Sequence, residues 1–166
     1  MDSKEQIILA VDPGFDRCGI AIIHTGSTPS VKQSWCISTN KKDSHSIRLA
    51  TVFKGIEEAI VTHSPDAIAL ETLFFSVNKK TVIAVAEARG IIVTLAGLHN
   101  IPLIELSPQE VKIAMTGSGN ADKKAVQKMV EMTLKVDTGK KLDDEIDAIA
   151  LGMAASGVLK LQALAK

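Results

Sequence analysis

The stretch Ile7-Ile8-Leu9-Ala10-Val11-Asp12-Pro13-Gly14 sets five apolar residues ahead of an acid and a Pro-Gly break. A short apolar run closed by such a break reads as a buried strand whose chain turns away as soon as Asp12 is reached. Acids at the carboxyl ends of strands stand where α/β sheets build ligand sites. An Asp before Pro-Gly is also an ordinary turn former, so the weight of Asp12 depends on the company the fold gives it.

Working outward, Gly19–His24 and Val31–Ser38 read as two further strands, with Thr25 to Ser30 as the turn between them, and the three form an antiparallel meander. From Ser44 to His63, Ile47, Leu49, Ala50, Phe53, Ile56 and Ile60 recur at helical spacing. Ala67–Leu70 is a short apolar strand ending at Glu71, and a helix rich in small residues follows from about Lys79 to Leu98. Pro102–Leu106 supplies a fifth strand. Ser107 and Glu110 have the spacing of a capping box, a further helix spans about Asp122 to Leu134, and the last begins near Asp143. This order predicts an α/β protein with a mixed five-stranded sheet and helices on both faces. With 166 residues and no linker or internal repeat, the chain reads as one domain, 1–166.

Hydrophobic content of 46% and charged content of 23% are those of an ordinary globular chain. Cys18 and Cys36 match no Cys-x-x-Cys spacing, and the apolar run at the N-terminus is too short for a signal peptide or a bilayer span. The expectation is a cytoplasmic protein with no membrane association. Lys and Arg together number 19, as do Asp and Glu, so overall charge gives no attraction to nucleic acid. The distribution is uneven: between Asn78 and Lys128 seven basic residues stand against four acidic ones, enough to make one positive face.

Asp144 and Asp147 are three residues apart and share one face of the last helix. Acids in a first helical turn also suit the helix dipole, but Asp147 lies among the apolar residues Ile146, Ala148 and Ile149. Asp12, Glu71, Asp144 and Asp147 could therefore converge. Carboxylates within a few Å of one another repel unless one takes up a proton or a cation compensates. Hard oxygen ligands of this type favour Mg²⁺ and point to phosphodiester chemistry. There is no phosphate-binding Gly-x-x-x-x-Gly-Lys loop and no nucleophile elbow, and His24, His45, His63 and His99 show no ligand spacing.

Together with Ala69-Leu70-Glu71-Thr72-Leu73-Phe74, Ala88-Arg89-Gly90, Val111-Lys112, the stretch Gly117 to Lys123, and Asp144-x-x-Asp147-Ala148-Ile149-Ala150, the opening strand resembles the RuvC family of Holliday junction resolvases. The likeness runs through nearly the whole chain in order. It implies a ribonuclease-H-like fold, a homodimer, and Mg²⁺-dependent paired symmetric nicking of four-way junction DNA in recombination and repair. It also implies two Mg²⁺ ions, which Mn²⁺ can replace, and work with a RuvA-RuvB-type branch-migration complex. Residue by residue, it makes Asp12, Glu71, Asp144 and Asp147 the catalytic metal ligands, Phe74 an aromatic contact to a base, and Lys112 and Lys123 the basic groups near the scissile phosphate. Some relatives have His where this chain has Asp144. Where the family commonly has Thr-Gly-aromatic-Gly, this chain has Cys18-Gly19-Ile20-Ala21. Two other functions fit the same residues: a same-fold nuclease acting on an RNA-DNA hybrid, and a junction-binding protein without activity.

Overall fold

The computed structural model describes residues 5–72, 79–135 and 137–164. Five strands, β1 (Ile7–Asp12), β2 (Arg17–His24), β3 (Ser30–Ser38), β4 (Ala67–Glu71) and β5 (Leu103–Leu106), form one sheet in the order β3-β2-β1-β4-β5. The first three make the expected antiparallel meander, whereas β4 and β5 run parallel to β1. Five helices complete the architecture: α1 (His45–His63), α2 (Lys79–Leu98), α3 (Pro108–Thr116), α4 (Lys123–Leu134) and α5 (Asp143–Leu164). The predicted elements are all present, with β2 starting two residues earlier than the apolar run suggests.

The sheet is covered on both faces, and strand alternation decides which side chain goes where. Ile8 and Ala10 of β1, Ala21 and Ile23 of β2, and Ala69 of β4 pack against α5, α4 and α3 through Ile149, Val130, Met115 and their neighbours. Leu9, Val11, Ile20, Ile22, Ile68 and Leu70 pack on the other face against Val52, Ile56, Ile60, Ile92 and Leu95 of α1 and α2. Burial on both faces explains why β1 and β4 read as continuous apolar runs instead of alternating ones. The mixed five-stranded sheet with helices on both faces is the ribonuclease-H-like arrangement.

Local chemistry fixes the helix ends. The Ser44 side chain caps α1, and Ser64, left-handed at φ 45°, ends it by donating its N–H to the Ile60 carbonyl. At α3 the capping box is complete: Ser107 Oγ accepts from the Glu110 N–H at 3.2 Å, and Glu110 Oε2 accepts from the Ser107 N–H at 2.7 Å. Asp122 caps α4 by accepting from the Ala125 N–H at 2.8 Å, which sets Lys123 in the first helical position.

Close approach of α5 to the sheet depends on two glycines. A Cβ on Gly152 would fall 2.5 Å from the Ile23 side chain, and one on Gly19 would fall 1.9 Å from the Asp144 carbonyl oxygen. The start of α5 therefore rests directly on the β2 backbone.

Candidate active site

Alternation carries the strand-end acids to the α5 face. Ile8 and Ala10 face α5, so Asp12 does too; Ala69 faces α5, so Glu71, two residues on, follows it. The parallel register of β1 and β4 pairs Val11 with Leu70, which brings the two acids to neighbouring strand ends. Against them lies the start of α5, with Asp144 in its first turn and Asp147 one turn on.

Two grips hold this corner in place. The Arg89 guanidinium of α2 donates from Nε to the Glu71 carbonyl at 3.4 Å while pairing with Glu105 on β5, so it steadies the end of β4. On the other side Glu145 Oε1 accepts from Ser34 Oγ of β3 at 2.6 Å, and Lys141 Nζ donates to Ser34 Oγ at 2.9 Å. That cluster ties the start of α5 to the sheet edge.

The electrostatics show that the acids feel one another. Burial, and then the nearby Glu71, Asp147 and Asp144 carboxylates, push the Asp12 carboxyl well above the usual carboxylate range, with Lys123 pulling the other way. Burial and Asp147 raise Glu71. Asp147 is likewise raised by burial and by Asp143 and Asp144, against the opposing hydrogen bond from Lys123. Lys123 loses some proton affinity to burial, but Asp147 and Asp143 outweigh that and hold it above its ordinary value.

Lys123 Nζ donates to Asp147 Oδ2 at 2.9 Å and stands 3.5 Å from Asp143 Oδ2. Arg17 Nε stands 2.8 Å from Asp144 Oδ2. Its N–H is not directed along that line, and Asp144 Oδ2, although buried, accepts no hydrogen bond among the described residues. Among those residues no three His, Cys, Asp or Glu side chains are drawn together as a ready cage for an ion. The acids are near enough to raise one another's proton affinity but are spread toward these two basic groups. An all-carboxylate donor set, mutual repulsion and an orphaned buried oxygen suit a hard divalent cation.

Two clefts flank the acids. One, of about 280 Å³, is lined by Glu71 and Asp147 together with Lys112 of α3 and Lys123 of α4. The other, of about 630 Å³, is lined by Asp144, Arg17, Phe15, His45 and Ile83. Lys112 and Lys123 thus share a cleft with two of the acids. Phe74 lies outside the described residues. Sequence reasoning did not single out Arg17, nor the Phe15 ring beside it, over which the Arg48 guanidinium stacks at 3.8 Å. An Arg two residues before Gly19 carries no signal until the fold sets α5 against β2.

A mixed sheet of this order, with acids at the ends of its central strands and at the start of α5 beside basic groups in open clefts, places the protein in the ribonuclease-H-like fold class. The family model for crossover junction endodeoxyribonuclease RuvC matches residues 8–155. Crossover junction endodeoxyribonuclease RuvC of Brachyspira hyodysenteriae is 42% identical over 151 residues, covering 89% of this chain and 92% of that protein. The corresponding protein of Pseudothermotoga lettingae is 40% identical over 146 residues, covering 87% and 90%. Among solved structures, T. thermophilus RuvC in complex with Holliday junction substrate superposes with a TM-score of 0.87 at 21% identity, covering 95% of this chain and 96% of that one. The yeast mitochondrial Holliday junction resolvase gives 0.66 at 15% identity, covering 94% and 78%. The chain belongs to the RuvC family of crossover junction endodeoxyribonucleases, enzymes that hydrolyse DNA to resolve Holliday junctions.

Proposed function

We propose that this protein resolves four-way DNA junctions by paired symmetric nicking, with Asp12, Glu71, Asp144 and Asp147 as the metal-holding catalytic groups. The observation that carries the reading is the placement of the four acids from three separate elements at one corner of the fold, the paired strand ends of β1 and β4 and the start of α5 seated on Gly19. A fold that buries an acid among like charges must offset the repulsion. Bound there, divalent cations, Mg²⁺ by preference and two in number, would stabilise charge on the scissile phosphate and the departing sugar oxygen and promote attack by water. The strand ends would hold Asp12 and Glu71 toward that charge, and the start of α5 would hold Asp144 and Asp147. Lys123, now paired with Asp147 and Asp143, and Lys112 in the same cleft are the groups to meet backbone phosphate oxygens.

The chain would act as a homodimer, because two copies related by a two-fold axis can address two strands of a pseudo-symmetric junction. The exposed face of α2 suits the contact: Ile83 and Leu98 are 68% and 67% exposed, and Gly90 and Gly97 have open space around them. We further propose residues 1–166 as a single nuclease domain, a RuvA-RuvB-type branch-migration complex as its partner, and the cytoplasm as its location. No helix among the described residues is long and apolar enough to cross a membrane.

The test is a mobile four-way junction with each strand labelled in turn, incubated with the protein and Mg²⁺. Paired nicks at symmetric positions are expected, abolished by chelation and by Asp12→Asn. Preference for an RNA-DNA hybrid, or junction binding without nicking in both Mg²⁺ and Mn²⁺, would overturn the assignment.

A further inference from the structure

The four acids are matched by two basic side chains, and the second of these, Arg17, has no part in the reading above. It opens β2, where it pairs in register with Ser38 of β3, two residues before Gly19. Gly19 is the point at which the Asp144 backbone touches the sheet. The close backbone contact at Gly19 thus brings Arg17 and Asp144 near each other, with Arg17 Nε 2.8 Å from Asp144 Oδ2.

The quality of that contact matters. Lys123 makes a directed hydrogen bond to Asp147. Arg17 supplies charge without a directed N–H, and the buried Asp144 oxygen has no donor. The Arg17 side chain is about half exposed, at 46%, and stands in the wall of the larger cleft beside Phe15 and His45. Such a counter-charge compensates the carboxylate yet can be withdrawn into solvent at modest cost.

We propose that Arg17 is an internal counter-cation of the acidic site: it neutralises Asp144 while no divalent cation is bound and must be displaced from that oxygen for the ion to take it. Arg17 is thereby a positioning residue acting through Asp144, and it competes with the metal for one of the ligands. The proposal rests on the reading of the four acids as a divalent-cation site, and the experiment below separates the two.

Mn²⁺ binding is measured by titration calorimetry, in the absence of DNA, on the full chain and on Arg17→Gln, Arg17→Lys and Lys54→Gln. Lys54 is an exposed residue of α1 and controls for loss of one positive charge anywhere on the molecule. Removal of a half-exposed ion pair changes an equilibrium by about two- to fivefold. Arg17→Gln is expected to bind Mn²⁺ more tightly by that factor, with Lys54→Gln unchanged and Arg17→Lys between the two. Thermal melts give the complementary sign: Arg17→Gln melts lower than the parent in chelator and gains more on addition of Mn²⁺. Arg17→Lys retains the charge and guards against a misfolded Gln variant. Mn²⁺ affinity of Arg17→Gln equal to or below that of the parent, or matched by Lys54→Gln, would overturn the proposal while leaving the cation site intact. Failure of the parent chain itself to bind Mn²⁺ would remove the cation site and this inference together.

Discussion

Asp12, one of the proposed metal ligands, works against the stability of its own fold. Its half-buried carboxyl is raised in proton affinity by burial and then by the Glu71, Asp147 and Asp144 carboxylates, with Lys123 pulling the other way. Asp12→Asn keeps the shape and removes the repelled charge. The variant should be more stable than the parent in chelator by about 1–2 kcal/mol, read as a higher midpoint in urea denaturation. Its junction nicking should fall by about 10²-fold or more. A variant both less stable and fully active would place Asp12 outside the site. Of the predicted residues, Lys112 and Lys123 were promoted from ordinary surface lysines only by the motif, and both line the cleft that holds Glu71 and Asp147. Arg89, from the Ala88-Arg89-Gly90 stretch that carries part of the family resemblance, pairs with Glu105 of β5.

At the level of elements, the decisive contact is between the start of α5 and the β2 backbone. A methyl group on Gly19 has no space, because its position is 1.9 Å from the Asp144 carbonyl. Gly19→Ala should push α5 off the sheet, cost about 2–3 kcal/mol, and weaken Mn²⁺ binding because Asp144 and Asp147 move with the helix. Urea denaturation and calorimetry check the two effects. The elements themselves were legible in the sequence because each carries its own period: the Ser107–Glu110 box caps α3 as its spacing predicted, and Ser44 and Asp122, which mark the predicted helix starts, turn out to be the caps of α1 and α4. Partnership between elements was less legible. Nothing local in Arg17 or Ser34 reveals that they meet α5, since their contacts with Asp144 and Glu145 join residues more than a hundred apart in the chain.

For the whole molecule, the raised acids set how stability follows pH. Asp12, Glu71 and Asp147 bind protons more tightly in the folded chain than in the unfolded one. Their effect is to favour the folded state at low pH, a benefit lost as pH rises from the ordinary carboxylate range, about 4, through their raised values. Asp16, lowered by Arg48 and Lys41, acts in the opposite sense, its contribution being lost as pH falls through its lowered value; so does Glu145, where Lys141 and Ser34 outweigh burial. In chelator the melting temperature should therefore decline between mildly acidic and neutral pH, and saturating Mn²⁺ should flatten or reverse that decline. A profile unaltered by Mn²⁺ would mean that the ion does not relieve these three acids.

The acids that converge come from residue 12 near one end of the chain, residue 71 in the middle, and residues 144 and 147 in the last helix. No shorter stretch contains the set. With those four acids as the proposed catalytic set, a ribosome partway through this message carries a harmless polypeptide, and cutting power arrives only once α5 has been translated and has settled onto Gly19.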